Sequence, residues 1–204
     1  MSPTATIILI IVILVVIAAI VYGIQVSRRR KLRNTFGPEY DRVVADAGSR
    51  TEAEKELRER EKRHADLELR PLSAESQNRY AADWEEVQIQ FVDNPGQAVT
   101  TADDLVTRLM AERGYPTENY DSMLADLSVE HAGTLQHYRE AHAISRRNTA
   151  GEASTEDLRQ ALVHYRALFG DLLGTASTDS ESVPRTAPAP RSAADETNAP
   201  DTRR

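Results

Sequence analysis

The chain opens with its longest apolar run: residues 7–26 carry no charge, and Arg28, Arg29, Arg30, Lys31 and Arg33 follow at once. About 20 apolar residues at ~1.5 Å per residue match the ~30 Å hydrocarbon core of a bilayer, so the pattern predicts a transmembrane helix. Farther along, the pattern turns to helical periodicity. Tyr80, Trp84, Val87 and Phe91 recur at i, i+4, i+7 and i+11, a stripe holding the only Trp. Ala102, Leu105 and Leu109, with Val106 and Met110, form a second face that stops at Gly114-Tyr115-Pro116. A short helix is expected over residues 120–127. Leu135, Tyr138, His142 and Ser145, broadened by Ala141 and Ile144, make the next, and Gly151 ends it. Ser154 then caps a last helix with Leu158, Leu162, Tyr165, Phe169 and Leu172 on one face. No alternating strand pattern occurs.

Between the basic cluster and these stripes, residues 34–70 read differently. The Gly37-Pro38 pair predicts a turn, with Pro38 in the first turn of a short helix. Thr51 and Glu54 have capping-box spacing, and residues 52–69 form a helix charged nearly all round. Glu54 with Arg58, Glu56 with Arg60 and Glu59 with Arg63 are i,i+4 pairs worth ~0.2–0.5 kcal/mol each. The apolar stripe is thin: Ala53, Leu57, His64 and Leu67, interrupted by Arg60. Such a helix is either a solvated spacer lifting the following domain off the bilayer or a poor coiled-coil seam, and the spacer is preferred. Pro71 ends it. The expected fold is therefore all-α: an N-terminal transmembrane helix, a basic collar at 27–33, a charged spacer helix over 34–70, a small antiparallel helical bundle over 71–174 and a disordered tail over 175–204.

The position of the apolar run raises a cleaved signal peptide as an alternative. Met1 to Thr6 hold no Lys or Arg, the run exceeds the 7–15 residues of a signal h-region, and cutting after Ala18 would leave a greasy new terminus. An uncleaved helix is the better reading. Lys and Arg flanking a membrane helix are retained in the cytoplasm, which puts residues 1–6 outside and everything from Ser27 onward inside, on a plasma (inner) membrane crossed once. Tyr22 falls at the inner interface, and Arg28, Arg29, Arg30, Lys31 and Arg33 would attract anionic lipids at ~1 kcal/mol each. Ala19 and Gly23 have the small-xxx-small spacing of packed membrane helices, a weak signal for self-association through the membrane or spacer helix.

Charge sharpens this picture. Of 25 basic and 32 acidic residues, five basic ones lie in the collar, and four Arg and five acids lie in the tail. Residues 34–174 thus carry 16 basic against 27 acidic side chains. That body repels phosphate backbones, so no nucleic-acid partner is expected. The absence of cysteine excludes disulfides, thiolate nucleophiles and Cys-ligated zinc. The tail is Ser, Thr, Ala, Pro and Asp with little to bury.

Several segments together resemble a group of uncharacterised bacterial proteins, encoded mainly in actinobacteria. These are residues 36–42 (Phe36-Gly37-Pro38-Glu39-Tyr40-Asp41-Arg42), Arg70-Pro71-Leu72, Trp84 with Val87-Gln88 and Phe91-Val92-Asp93, Arg113-Gly114-Tyr115-Pro116, Tyr138-Arg139 with Ala141-His142, and residues 154–165. The resemblance covers residues 36–173 and implies a single-pass, membrane-associated helical protein; it brings no activity.

Candidate chemistry is sparse. His131 to His137 turns by about 240° and His137 to His142 by about 140° on a helix, so these imidazoles cannot share a metal from one helix. His142 lies on an apolar face, where a hydrogen-bonded core role is expected. There is no phosphate loop and no serine elbow. No catalytic, cofactor-binding or metal residue is assigned. Arg113, Tyr115 and Tyr120 lie outside the apolar stripes and are the candidate partner-binding residues, although Tyr115 beside Pro116 also suits packing across the bundle end. The expected function is a non-catalytic adaptor or scaffold on the cytoplasmic face, with an envelope-facing accessory module as the alternative.

Overall fold

The computed structural model describes residues 3–174 and contains seven helices among them: α1 (Pro3–Asp46), α2 (Arg50–Ala65), α3 (Ala74–Asp93), α4 (Pro95–Arg113), α5 (Tyr120–Glu130), α6 (Ala132–Thr149) and α7 (Thr155–Leu173). The described fold is all-α, as the periodicities predict. The expected disordered tail lies outside the described residues.

The first half of α1 is long and apolar enough to cross a membrane, and among the described residues nothing covers it. Ile10, Ile11, Val12 and Ile13, which point to four different sides of the helix, are all exposed. A helix apolar all round demands an apolar environment. Helical geometry continues through the basic collar to residue 36, so collar and apolar run form one rod. At Gly37 the backbone leaves helical space (φ 46, ψ −124), and Pro38 starts the final two turns. Proline has no N–H to give to the preceding turn and its ring crowds that turn, while glycine alone tolerates such a φ, so this pair kinks α1 rather than ending it.

The charged helix α2 exists, yet it is not a solvated strut. It folds back antiparallel along the end of α1, with Lys31 3.5 Å from Glu61 and the Tyr40 hydroxyl 2.9 Å from Glu54. Leu32, Phe36, Tyr40 and Val43 of α1 close over Ala53 and Leu57 of α2 in a small core of their own. The thin stripe is therefore a seam, formed within the chain. Two local expectations also shift. The cap is Ser49, accepting from the Glu52 N–H at 3.2 Å, because a second Ser-x-x-Glu pattern begins two residues before Thr51 and Glu54 is drawn to Tyr40. The helix stops at Ala65, since Leu67, Leu69 and Leu72 turn away to pack on the main core.

That core lies among α3, α4, α6 and α7, with α5 across one end. Trp84 stacks on Phe169 at 4.7 Å, and Tyr138, Tyr165, Leu105, Leu109 and Leu168 are fully buried around them; Phe91 is only half-buried. Two of the turns are a single residue long. Asn94 alone separates α3 from α4, capping Gln97 through its side chain with Pro95 following, and His131 alone separates α5 from α6. Gly114 ends α4 at φ 98 within reach of the loop after α2; an added Cβ would meet the Glu68 carbonyl at 2.6 Å. The tight C-cap thus brings the end of α4 against the end of α2.

Candidate functional site

Membrane-interface residues come first along the chain. Tyr22 is 73% exposed at the end of the apolar run. Arg28 and Arg30 are exposed and have no acidic partner among the described residues, and Arg29 is half-buried. The remaining two collar charges turn toward the body: Lys31 to Glu61, and Arg33 to Asp41 at 3.0 Å with its guanidinium over the Tyr40 ring. Exposed pairs of this kind are worth ~0–1 kcal/mol. The collar is thereby divided into a part free to meet anionic headgroups and a part that faces the hairpin.

Two residues past the kink sits Glu39, one of two buried acids among the described residues and only 5% exposed. Its neighbours Phe36, Tyr40 and Val43 bury their side chains, and the same face carries its carboxylate into the junction of α1, α2 and α6. Arg139 of α6 donates two bonds to it, both 2.7 Å, and Arg60 of α2 donates a third at 3.3 Å. Arg60 also reaches Glu56 and the Ser128 hydroxyl. A cleft of about 210 Å³ opens beside this group, bordered by Arg42, Asp46 and Asp121. Both Glu39 oxygens are occupied by guanidinium donors, so the group is arranged to hold three helices together and not to accept a substrate proton.

Of the three candidate partner-binding residues, Tyr115 is buried, and Arg113 and Tyr120 are half-buried. After Gly114 the chain reverses, and the Tyr115 N–H bonds the Met110 carbonyl at 3.0 Å. This drives the Tyr115 ring into the bundle end between His64 and His131, where it is 3% exposed and its hydroxyl donates to Glu130 at 3.3 Å. Burial pushes its ionisation well up, and the Glu130 charge adds to the effect. Arg113 spans the same end, donating to the Leu172 carbonyl at 2.7 Å. Tyr120 is half-buried and stacks on His142 at 4.5 Å. The large apolar side chains that the body leaves exposed outside α1 are Ile89, Val92 and Val163.

Histidines pair across helices. His142 Nδ1 lies 3.5 Å from Asp103, and the Ser145 hydroxyl donates to the same carboxylate oxygen at 3.3 Å. Serine and imidazole thus converge on one acid, whereas a Ser-His-Asp relay needs the serine on the far imidazole nitrogen. His131 binds Asp171 at 2.8 Å, joined by Thr134 at 2.7 Å. Burial alone would raise the Asp171 carboxyl, but donation from His131 and Thr134 outweighs it and leaves the group below its ordinary value. His137 of α6 meets His164 of α7 with Glu140 beside them. Rotation angles along one helix exclude sharing within that helix; they say nothing of a partner on another. Sequence reasoning also missed Glu39, although a carboxylate among Phe36, Tyr40 and Val43 on one helical face was a readable signal.

No family model, curated protein or solved structure matches this chain.

Proposed function

We propose that this chain is a single-pass, membrane-mounted helical interaction module, with its body on the cytoplasmic face and no chemistry of its own. The observation that carries the reading is the double role of α1. Its first half is an uncovered apolar helix, and its last turns are a structural part of the body through Leu32, Phe36, Tyr40 and the Glu39 junction. A bundle attached in this way takes its position from the membrane helix without an intervening flexible linker. Arg28, Arg29 and Arg30 follow the apolar run and favour a cytoplasmic body, with attraction to anionic headgroups in support. Ile89, Val92 and Val163 offer a protein partner the apolar contact that Tyr115 and Tyr120 do not.

The test is topology. A fluorescent reporter active only in the cytoplasm and a phosphatase active only outside it are fused, separately, after Gly174. Fluorescence without phosphatase activity is the expected result. The opposite pattern overturns the orientation and favours the envelope-facing accessory module.

A further inference from the structure

Two imidazoles from different helices face each other at the α6–α7 interface. His137 Nδ1 and His164 Nδ1 are 2.9 Å apart, with rings stacked at 5.1 Å and an interplanar angle of 23°. The other nitrogen of His164, Nε2, lies 3.2 Å from a Glu140 carboxylate oxygen, and Gln136 donates to the second oxygen at 2.8 Å. Glu140 stands three residues after His137 and so shares its face of α6. One donor atom from each of His137, Glu140 and His164 lies within 4.8 Å of the other two.

We propose that His137 and His164 bind a zinc-class divalent transition-metal ion through their Nδ1 atoms, clipping α6 to α7, with Glu140 as the carboxylate that orients His164.

Two facing nitrogen lone pairs repel unless something positive lies between them, either one shared proton or a cation. In a tetrahedral site with metal–nitrogen bonds of ~2.0–2.1 Å, donors stand about 3.3 Å apart, so the 2.9 Å gap needs to open by only a few tenths of an ångström. His137 and Glu140 are exposed and His164 is partly so, which leaves the rings free to make that adjustment and leaves the remaining coordination positions to water. Glu140, 3.2 Å from His164 Nε2, stands where a carboxylate backs a metal-bound histidine and favours the tautomer that bares Nδ1. Imidazole donors select zinc, cobalt, nickel or copper over magnesium and calcium, which prefer oxygen cages.

The experiment uses the full chain in detergent micelles, titrated calorimetrically with zinc chloride and, separately, with cobalt(II) followed by its visible absorption. Zinc should bind at one ion per chain, with magnesium giving no competing heat. His137→Asn and His164→Asn should each abolish the site, and Glu140→Ala should weaken it about 10–100-fold. His142→Asn, which alters the neighbouring His142–Asp103 pair, should leave it unchanged. Far-ultraviolet circular dichroism establishes that each variant is folded, and His137 is exposed enough that its replacement cannot empty the core. The proposal is overturned by folded wild-type chain that takes up no zinc, by uptake that survives His137→Asn and His164→Asn, or by magnesium binding as well as zinc.

Discussion

A buried carboxylate is expensive unless every oxygen is paired, and Glu39 is paired by two guanidinium groups that are themselves mostly shielded. The net worth of such a cluster against an apolar replacement is small, but breaking it from one side leaves charge stranded. Glu39→Gln should therefore cost about 3–5 kcal/mol, read as lost amide-exchange protection in residues 38–65, while the interior of α4 and α7 is affected far less. Arg139→Gln should add little on that background, because its partner is already gone; a coupling of at least ~1 kcal/mol is expected in the double-mutant cycle. Strict additivity of the two substitutions would sink the view that Glu39 fixes the hairpin to the bundle.

Helix α7 shows how local signals and distant partners combine in one element. Its N-terminus is legible in the sequence: Ser154 and Asp157 form a reciprocal capping box, and Arg147 reaches the same Asp157. The Ser154 hydroxyl and backbone, then Arg147, hold the Asp157 carboxyl down at about 2. Its C-terminal turn carries Asp171, also held below its ordinary value by His131 and Thr134 once their donation offsets burial. Depressed carboxyls stabilise the fold above their unfolded value near 4 and lose that contribution as pH falls through the folded one. Amide exchange at both ends of α7 should thus accelerate, relative to its centre, between about pH 4 and pH 2, and Asp157→Asn should reduce the pH dependence at the N-terminal end only, leaving there the share of Glu156, which Arg159 and Gln160 also hold down. Unchanged protection across that range would refute the assignment. The apolar stripes of α3, α4, α6 and α7 were readable for the same reason as the cap, since their spacing is local. What was not readable depends on partners distant in sequence: Glu39 finds Arg139 100 positions away, and His131 finds Asp171 40 away. Nor does composition tell a solvated charged helix from α2, where burying Ala53 and Leu57 suffices for a seam and most of the charged residues remain exposed.

At the scale of the whole molecule, the backward run of α2 changes where the body stands. A spacer would have carried the bundle away from the bilayer. Instead α2 returns toward the collar, and its last turns, from Glu61 onward, lie level with Lys31, about five residues beyond the apolar run. His64, Tyr115, Glu130, Arg113 and the end of α7 gather at that end, and the Arg70 N–H bonds the Arg113 carbonyl there at 2.9 Å. The opposite end holds the α3–α4 and α6–α7 turns, tied by Asn148 donating to the Gly96 carbonyl at 2.8 Å. Helix α6, 18 residues and about 27 Å long, joins the two ends. If α1 crosses the membrane as proposed, the first end faces the headgroups and the second faces away. The absence of cysteine makes this measurable with single labels, because Arg70→Cys and Glu152→Cys each place one thiol on an exposed residue. In bilayers carrying a headgroup-attached quencher, a fluorophore at position 70 should be quenched more strongly than one at position 152. Equal quenching would mean that the hairpin does not hold the bundle down, and the reverse order would mean that the body stands upright on a strut, the geometry the charged stretch alone suggests. Stronger quenching at 70 would place the surface containing Arg63 and Arg70 against the lipid headgroups, leaving the far end and the flanks with Ile89 and Val92 as the ground open to a protein partner.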